Sequence, residues 1–199
     1  MPMEMAIALM GFAFVMSISP GPGNFLLLTS GANFGFVRSL PLMLGISGGF
    51  LAMVFVVGLG LGEVFERYPQ VYDAMRILGA AYVLWMAWTL MRARSIGGGG
   101  REVAQPIGFV QAALLQLVNP KAWAVALIVT VTYTVPDNFL FSLVLLIILF
   151  AIVNLPALSV WVMSGAVLRG ALVKGRRIVV FNIAMAALLV ASMAPVLIR

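Results

Sequence analysis

Ser19-Pro20-Gly21-Pro22-Gly23-Asn24 interrupts an apolar run that otherwise extends over residues 5–30, and Asn119-Pro120-Lys121 interrupts another over 107–134. Proline removes a backbone donor and clashes with the preceding turn, while glycine accepts the unwound dihedrals that follow. In hydrocarbon each backbone group freed in this way costs several kcal/mol unless protein, water or a bound solute satisfies it. Both breaks are therefore expected to face a cavity or the interior of a helix bundle. Lys121 sharpens the second case, because about 12 to 14 residues of helix at 1.5 Å each put it roughly 20 Å into its span, near the bilayer middle. A charge there costs about 2.5–3.5 kcal/mol on insertion scales, which a partner or a function must offset. Two readings follow from the residues. In one, the ammonium clasps carbonyls freed by the two breaks and fastens the first helix to the fourth. In the other, it anchors the carboxylate of a solute beside half-helix N-termini, whose dipoles favour anions. The two are compatible.

The surroundings of both breaks are those of a membrane protein. Of 199 residues, 63% are hydrophobic and 9% charged, with a mean hydropathy of +1.14, against roughly half and a quarter in soluble domains. The chain has no Cys and no His, which excludes disulfides, thiolate chemistry, imidazole ligands and histidine-based catalysis; no metal site and no cofactor are expected. Since a spanning helix needs about 20 apolar residues, the runs between charges predict six spans, at 5–30, 39–62, 70–91, 107–134, 138–165 and 178–198. Glu4, rather than a basic cluster, precedes the first run, which is too long for a signal-peptide core and is expected to be retained.

Lys and Arg resist translocation. Arg38, Arg92, Arg94, Arg101, Arg169, Lys174, Arg176 and Arg177 fall in the first, third and fifth loops, against Arg67 and Arg199 on the other side. Both termini are therefore expected outside the cytoplasmic (inner) membrane. The net charge of +6 is read as a topological signal, and nucleic acid is not expected as a partner, because it would need a solvated basic face.

The Gly97–Gly100 linker divides the chain into repeat one, 1–96, and repeat two, 101–199, of a single transmembrane domain. Three spans per half invert the second half relative to the first. A shift of 100 residues lays Ser19-Pro20 on Asn119-Pro120, so each half opens with a proline-broken helix. That is the sequence pointer to a midplane site between inverted repeats. The expected fold is an all-α membrane protein, six transmembrane helices as two inverted three-helix repeats with broken first and fourth helices.

At these residues the sequence resembles the LysE/RhtB superfamily of amino-acid exporters. The likeness is carried by Ser19-Pro20-Gly21-Pro22-Gly23-Asn24, the Gly-rich second span from Gly45, Gly79-Ala80-Ala81-Tyr82 and Asn119-Pro120-Lys121, with Gly23 inserted relative to the family's Ser-Pro-Gly-Pro-Asn. Residues 79–88, 105–107 and 115–119 look most like its cysteine/O-acetylserine branch. The resemblance implies export of a small amino acid or derivative by alternating access; spans and breaks alone suit uptake equally. Substrate contacts are expected from Ser19, Pro20, Gly21, Pro22, Asn24, Asn119, Pro120 and Lys121, with the substrate amine on carbonyls freed by Pro20, Pro22 and Pro120. The partners are then a small amino acid, membrane lipid and protons as coupling ion, with a homo-oligomer left open.

Other motifs have competing readings. Asp73 and Arg76, three residues apart on one helix face, form either an interfacial ion pair or a coupling or gating site; Lys121 is a second candidate for proton coupling. Gly45-Ile46-Ser47-Gly48-Gly49 matches the Gly-x-Ser-x-Gly of serine hydrolases, with a Ser47/Lys121 dyad formally available, but it lies in a helix without the elbow and base that chemistry needs. Small residues permitting close helix packing explain it better. Asn154-Leu155-Pro156 is expected to break the fifth span, with Asn154 and Asn182 bonding between helices or lining a pocket. A non-transporting membrane accessory protein is the alternative to a transporter. With basic residues so unevenly divided, a reporter fused after Arg101 or Lys174 should read cytoplasmic and one after Asp137 external; the reverse pattern would overturn both the orientation and the inverted repeat.

Overall fold

Proline starts a helix as readily as it ends one, because the first helical position has no intrahelical use for its N–H. Pro22 and Pro120 both occupy that position. In the computed structural model, which describes residues 1–61, 105–172 and 176–191 with single positions 67, 70, 77, 81, 83–85, 87, 88 and 91 between them, each break therefore separates two helices. Helix α1 (Met3–Ile18) is followed by α2 (Pro22–Phe34), bent from it by 59°. Further along, α4 (Phe109–Leu117) meets α5 (Pro120–Tyr133) at 70°. At 1.5 Å per residue α4 is about 14 Å long and α5 about 21 Å, so neither crosses a hydrocarbon layer of about 30 Å alone.

Between the bent pairs lies α3 (Phe36–Val56), continued by a π-helical turn, Val57–Leu61. Gly35 joins α2 to α3 at φ 81°, a left-handed geometry suited to glycine. After the second pair come α6 (Phe139–Leu172) and α7 (Arg177–Ala191). The described residues are helical with short connections and no strand. Two stretches, Phe36–Gly60 and Pro136–Leu172, are long and apolar enough to cross a membrane, and each bent pair adds one more if it is a single span. The expected third span, 70–91, lies largely outside the described residues, as does the Gly97–Gly100 linker; where described, its positions are helical, with Val83 and Ala87 buried and Leu84, Trp85 and Trp88 exposed. Of the expected sixth span, the helix is described to Ala191.

Two expectations are corrected. The fifth span is not broken at Asn154-Leu155-Pro156: α6 runs through it for 34 residues. Pro156 is exposed on the outer face, so its ring and missing donor do not intrude on the packing, and α1, α2 and α3 hold the helix from within. The helix also continues past the expected end at 165 to Leu172. At about 51 Å it exceeds the hydrocarbon thickness, a mismatch taken up by tilt or by projection beyond the bilayer.

Apolar side chains offer helices in lipid no net reason to associate, so close backbone approach through small residues takes over. A Cβ added at Gly31 of α2 would collide with the Val162 carbonyl, and one at Gly165 of α6 with the Leu28 carbonyl. The α3–α4 contact is built the same way: Gly45 faces the Phe109 carbonyl and Gly49 lies against Ala113, whose Cα an added Cβ would meet at 2.6 Å. Close packing thus accounts for the Gly45–Gly49 motif. Phe141, Ile152 and Val167 on the outer face of α6 are exposed and apolar, as a lipid-facing surface requires. Gly165→Ala should lower thermal stability in detergent by about 1–3 kcal/mol through overpacking, whereas Gly170→Ala, with nothing within 4 Å of the added methyl, should be neutral or gain up to about 1 kcal/mol from helix propensity.

Candidate functional site

The two breaks, a hundred residues apart in sequence, meet. Lys121 Nζ donates to the Ser19 carbonyl at 2.7 Å and to Ser19 Oγ at 2.8 Å. It reaches them because Gly21 leaves room: a Cβ there would lie 3.0 Å from Lys121 Cδ. The Gly21 backbone is extended, φ −172°, so space rather than conformation makes this position small. Among the described residues no carboxylate pairs with Lys121, and the third donor of its ammonium has no partner.

Backbone groups released by the breaks are taken up within the chain. Ser19 N–H donates to the Val15 carbonyl at 3.0 Å, Ser19 Oγ to Met16 at 3.1 Å and Asn24 Nδ2 to Ser17 at 2.8 Å. On the other side Trp123 Nε1 donates to the Leu117 carbonyl at 2.8 Å. Asn119 caps α5, accepting from the Lys121 amide at 3.2 Å, while its Nδ2 donates to Gln116 Oε1 at 3.3 Å. The carbonyls of Val15, Met16, Ser17, Ser19 and Leu117 thus already accept within the chain, which narrows the set open to the expected substrate amine. Unpaired donors remain at the start of both following helices. The amides of Gly23 and Asn24 in the first turn of α2, and of Ala122 in that of α5, have no hydrogen-bond partner among the described residues.

A partly open cavity lies here. Five of the eight expected contact residues line it: Gly21, Pro22, Asn24, Asn119 and Lys121. Ser19 takes part through Lys121, whereas Pro20 is exposed and Pro120 stands outside the lining; both act by ending or starting helices. Ile46 and Leu158 come to the wall from one apolar cluster, and Phe50, Val125 and Phe150 from another. The Phe50 and Phe150 rings stack at 4.8 Å. Polar groups thus occupy a layer between two greasy ones.

Sequence reading missed Ser17 and Gln116, which also line the cavity. A polar residue one turn or less before a proline break inside an apolar run is the signal that would have found both. Asn154 lines the cavity as well, while its Nδ2 donates to Ser17 Oγ at 2.9 Å, so both readings of it apply. Its Oδ1 is buried without a donor, a condition that costs about 1–3 kcal/mol. Asn182 instead joins helices away from the cavity, exchanging hydrogen bonds with Asn33 of α2 at 3.0 and 3.4 Å. Ser47 Oγ is buried without a hydrogen-bond partner and Lys121 bonds Ser19, so the Ser47/Lys121 dyad is not assembled. Asp73 and Arg76 lie outside the described residues.

Broken apolar helices closing on a shared cavity are the pattern expected of a membrane translocator. Residues 14–199 match the family described as LysE type translocator, and the chain belongs to that family. It is accordingly an integral membrane protein. It is 31% identical over 132 residues to a cysteine/O-acetylserine efflux protein of Klebsiella pneumoniae, covering 65% of each chain. A Salmonella typhimurium protein of the same description is 28% identical over 155 residues, 77% of this chain and 78% of that one. A leucine efflux protein of an Enterobacter species is 30% identical over 115 residues, 55% of this chain and 54% of that one. No solved structure matches the chain.

The close approach of Gly21 to Lys121 gives a test of the geometry. Gly21→Ala should lower thermal stability measurably in the wild-type background and have no further effect in a Lys121→Ala background, a non-additivity that a double-mutant cycle reads directly.

Proposed function

We propose that this chain exports a small neutral amino acid or derivative across the cytoplasmic membrane by alternating access, through the cavity between its two broken helices. The observation that carries this reading is the composition of the site. One free ammonium donor and three unpaired helix-terminal amides converge where the chain has no described anion, an arrangement suited to a carboxylate. The apolar walls provided by Ile46, Phe50, Val125 and Phe150 suit an uncharged side chain. Relatives described as exporting cysteine, O-acetylserine or leucine agree with a ligand of this kind.

The architecture behind the proposal is six spans in two inverted repeats, 1–96 and 101–199 around the 97–100 linker, with both termini outside. One pair of contacts agrees with it: α3 lies along α4 and α6 along α1, and exchanging the halves turns one into the other, whereas the extensive α2–α6 contact has only a slight α3–α5 counterpart. Such a pair of repeats can rock about a fixed midplane site. Protons are the proposed coupling ion, with Asp73 and Arg76 as the coupling or gating pair; lipid surrounds the bundle, and self-association is compatible with its apolar exterior.

Efflux of labelled cysteine, O-acetylserine and leucine from loaded vesicles, with and without a pH gradient, tests substrate and coupling together. Lys121→Met keeps the stem but deletes the charge, so it should abolish flux of the transported amino acid, since the substrate anion would enter a low-dielectric pocket unpaired. Lys121→Arg should fold and be impaired, because a planar fork replaces a compact donor. Wild-type flux and affinity in Lys121→Met would leave the lysine a structural clasp only.

A further inference from the structure

We infer that Asn154 is the acceptor for the substrate's ammonium group, a specificity residue that admits α-amino acids over carboxylates lacking the amine. The assignment rests on the export reading above and names the half of the substrate that Lys121 leaves unrecognised.

A zwitterion needs a donor set for its carboxylate and an acceptor for its amine. Donors are plentiful at the cavity; unengaged side-chain acceptors are fewer, and Asn24 Oδ1, which has no donor among the described residues, is not fully buried as Asn154 Oδ1 is. The carbonyls of Val15, Met16, Ser17, Ser19 and Leu117 are engaged within the chain, as are Gln116 Oε1 and Asn119 Oδ1. Asn154 Oδ1 is different. It is buried with no donor, on a residue that is 6% exposed and lines the cavity. Native structures rarely leave such an atom unsatisfied, and one that persists calls for a ligand, a water or a second conformation to complete it. Its Nδ2 is fixed by Ser17 Oγ at 2.9 Å, so the side chain is oriented by a residue at the end of α1, one helix turn or less from the first break. Oδ1 is covered in this conformation, and entry of a substrate amine is what uncovers and satisfies it. The hydrogen bond then formed is charge-assisted, the stronger kind.

Binding should be measured on purified wild-type protein and on Asn154→Leu and Asn154→Asp, with L-cysteine, O-acetyl-L-serine and L-leucine, each beside its deamino counterpart in which hydrogen replaces the amine. The wild type should prefer the amino acid it transports to the deamino acid. In Asn154→Leu that preference should fall by about 10- to 100-fold, the equivalent of one hydrogen bond to a charged group, with the deamino acid bound as before. Asn154→Asp keeps an acceptor and should retain or raise the preference, which holds the test open if the leucine variant does not fold. A drop shared equally by both ligands, or a preference unchanged in Asn154→Leu, overturns the assignment and leaves the export reading standing. If the wild type binds none of the three amino acids, the export reading fails and the assignment with it.

Discussion

Hydrocarbon offers no hydrogen bonds, so a spanning helix that breaks must find new partners for every backbone group it releases. In this protein the two breaks satisfy one another. A single ammonium, Lys121 Nζ, crosses from α5 to the end of α1 and bonds both oxygens that Ser19 offers, while Asn24 and Trp123 close the Ser17 and Leu117 carbonyls. The lysine is tolerable at this depth because the breaks supply acceptors. The breaks are tolerable because the lysine supplies donors. Removing either leaves buried polar groups without partners, so the two features depend on each other.

Around this polar layer the helices are held by contact rather than by water exclusion. Gly31 and Gly165 bring α2 and α6 to backbone contact, and Gly45 and Gly49 do so for α3 and α4. Dispersion falls off within fractions of an ångström, so such seams hold only while they remain tight and move as units. The exchange between Asn33 and Asn182 adds a polar tie from α2 to α7, of the kind worth about 0.6–2 kcal/mol in membranes. Every one of these ties joins a helix of residues 1–61 to one of residues 105–191, so the two parts of the chain are held together both by tight seams and by the hydrogen bonds at the breaks.

Much of this was legible before the structure. Composition decides the environment, and a proline within an apolar run decides where helices stop, because both act locally. That Gly45-Ile46-Ser47-Gly48-Gly49 packs helices also follows from residue size. What the sequence hid is register. The Lys121 clasp on a freed carbonyl is legible from the residues and is found at Ser19, 102 positions away; which other carbonyls are engaged depends on the side chain that arrives beside each, and that is not legible. Pro156 misled for a related reason: proline's effect depends on which face it occupies, and on the outer face of a helix packed from within it changes little.

One cation at the junction is a clasp and, in the proposed export, an anchor as well; the two roles do not conflict, because an ammonium has three donors and Ser19 occupies two of them. A carboxylate arriving at the third does not need to break the junction, yet it competes for the same positive charge and draws on the same α2 and α5 termini. Arginine would spread that charge over a plane and commit more of its donors to fixed geometry. A neutral residue could join the breaks by hydrogen bonds but would leave a substrate anion unpaired. Lysine is thus the side chain that joins the two breaks and still has a donor to spare, which is what the proposed anchoring of a carboxylate requires.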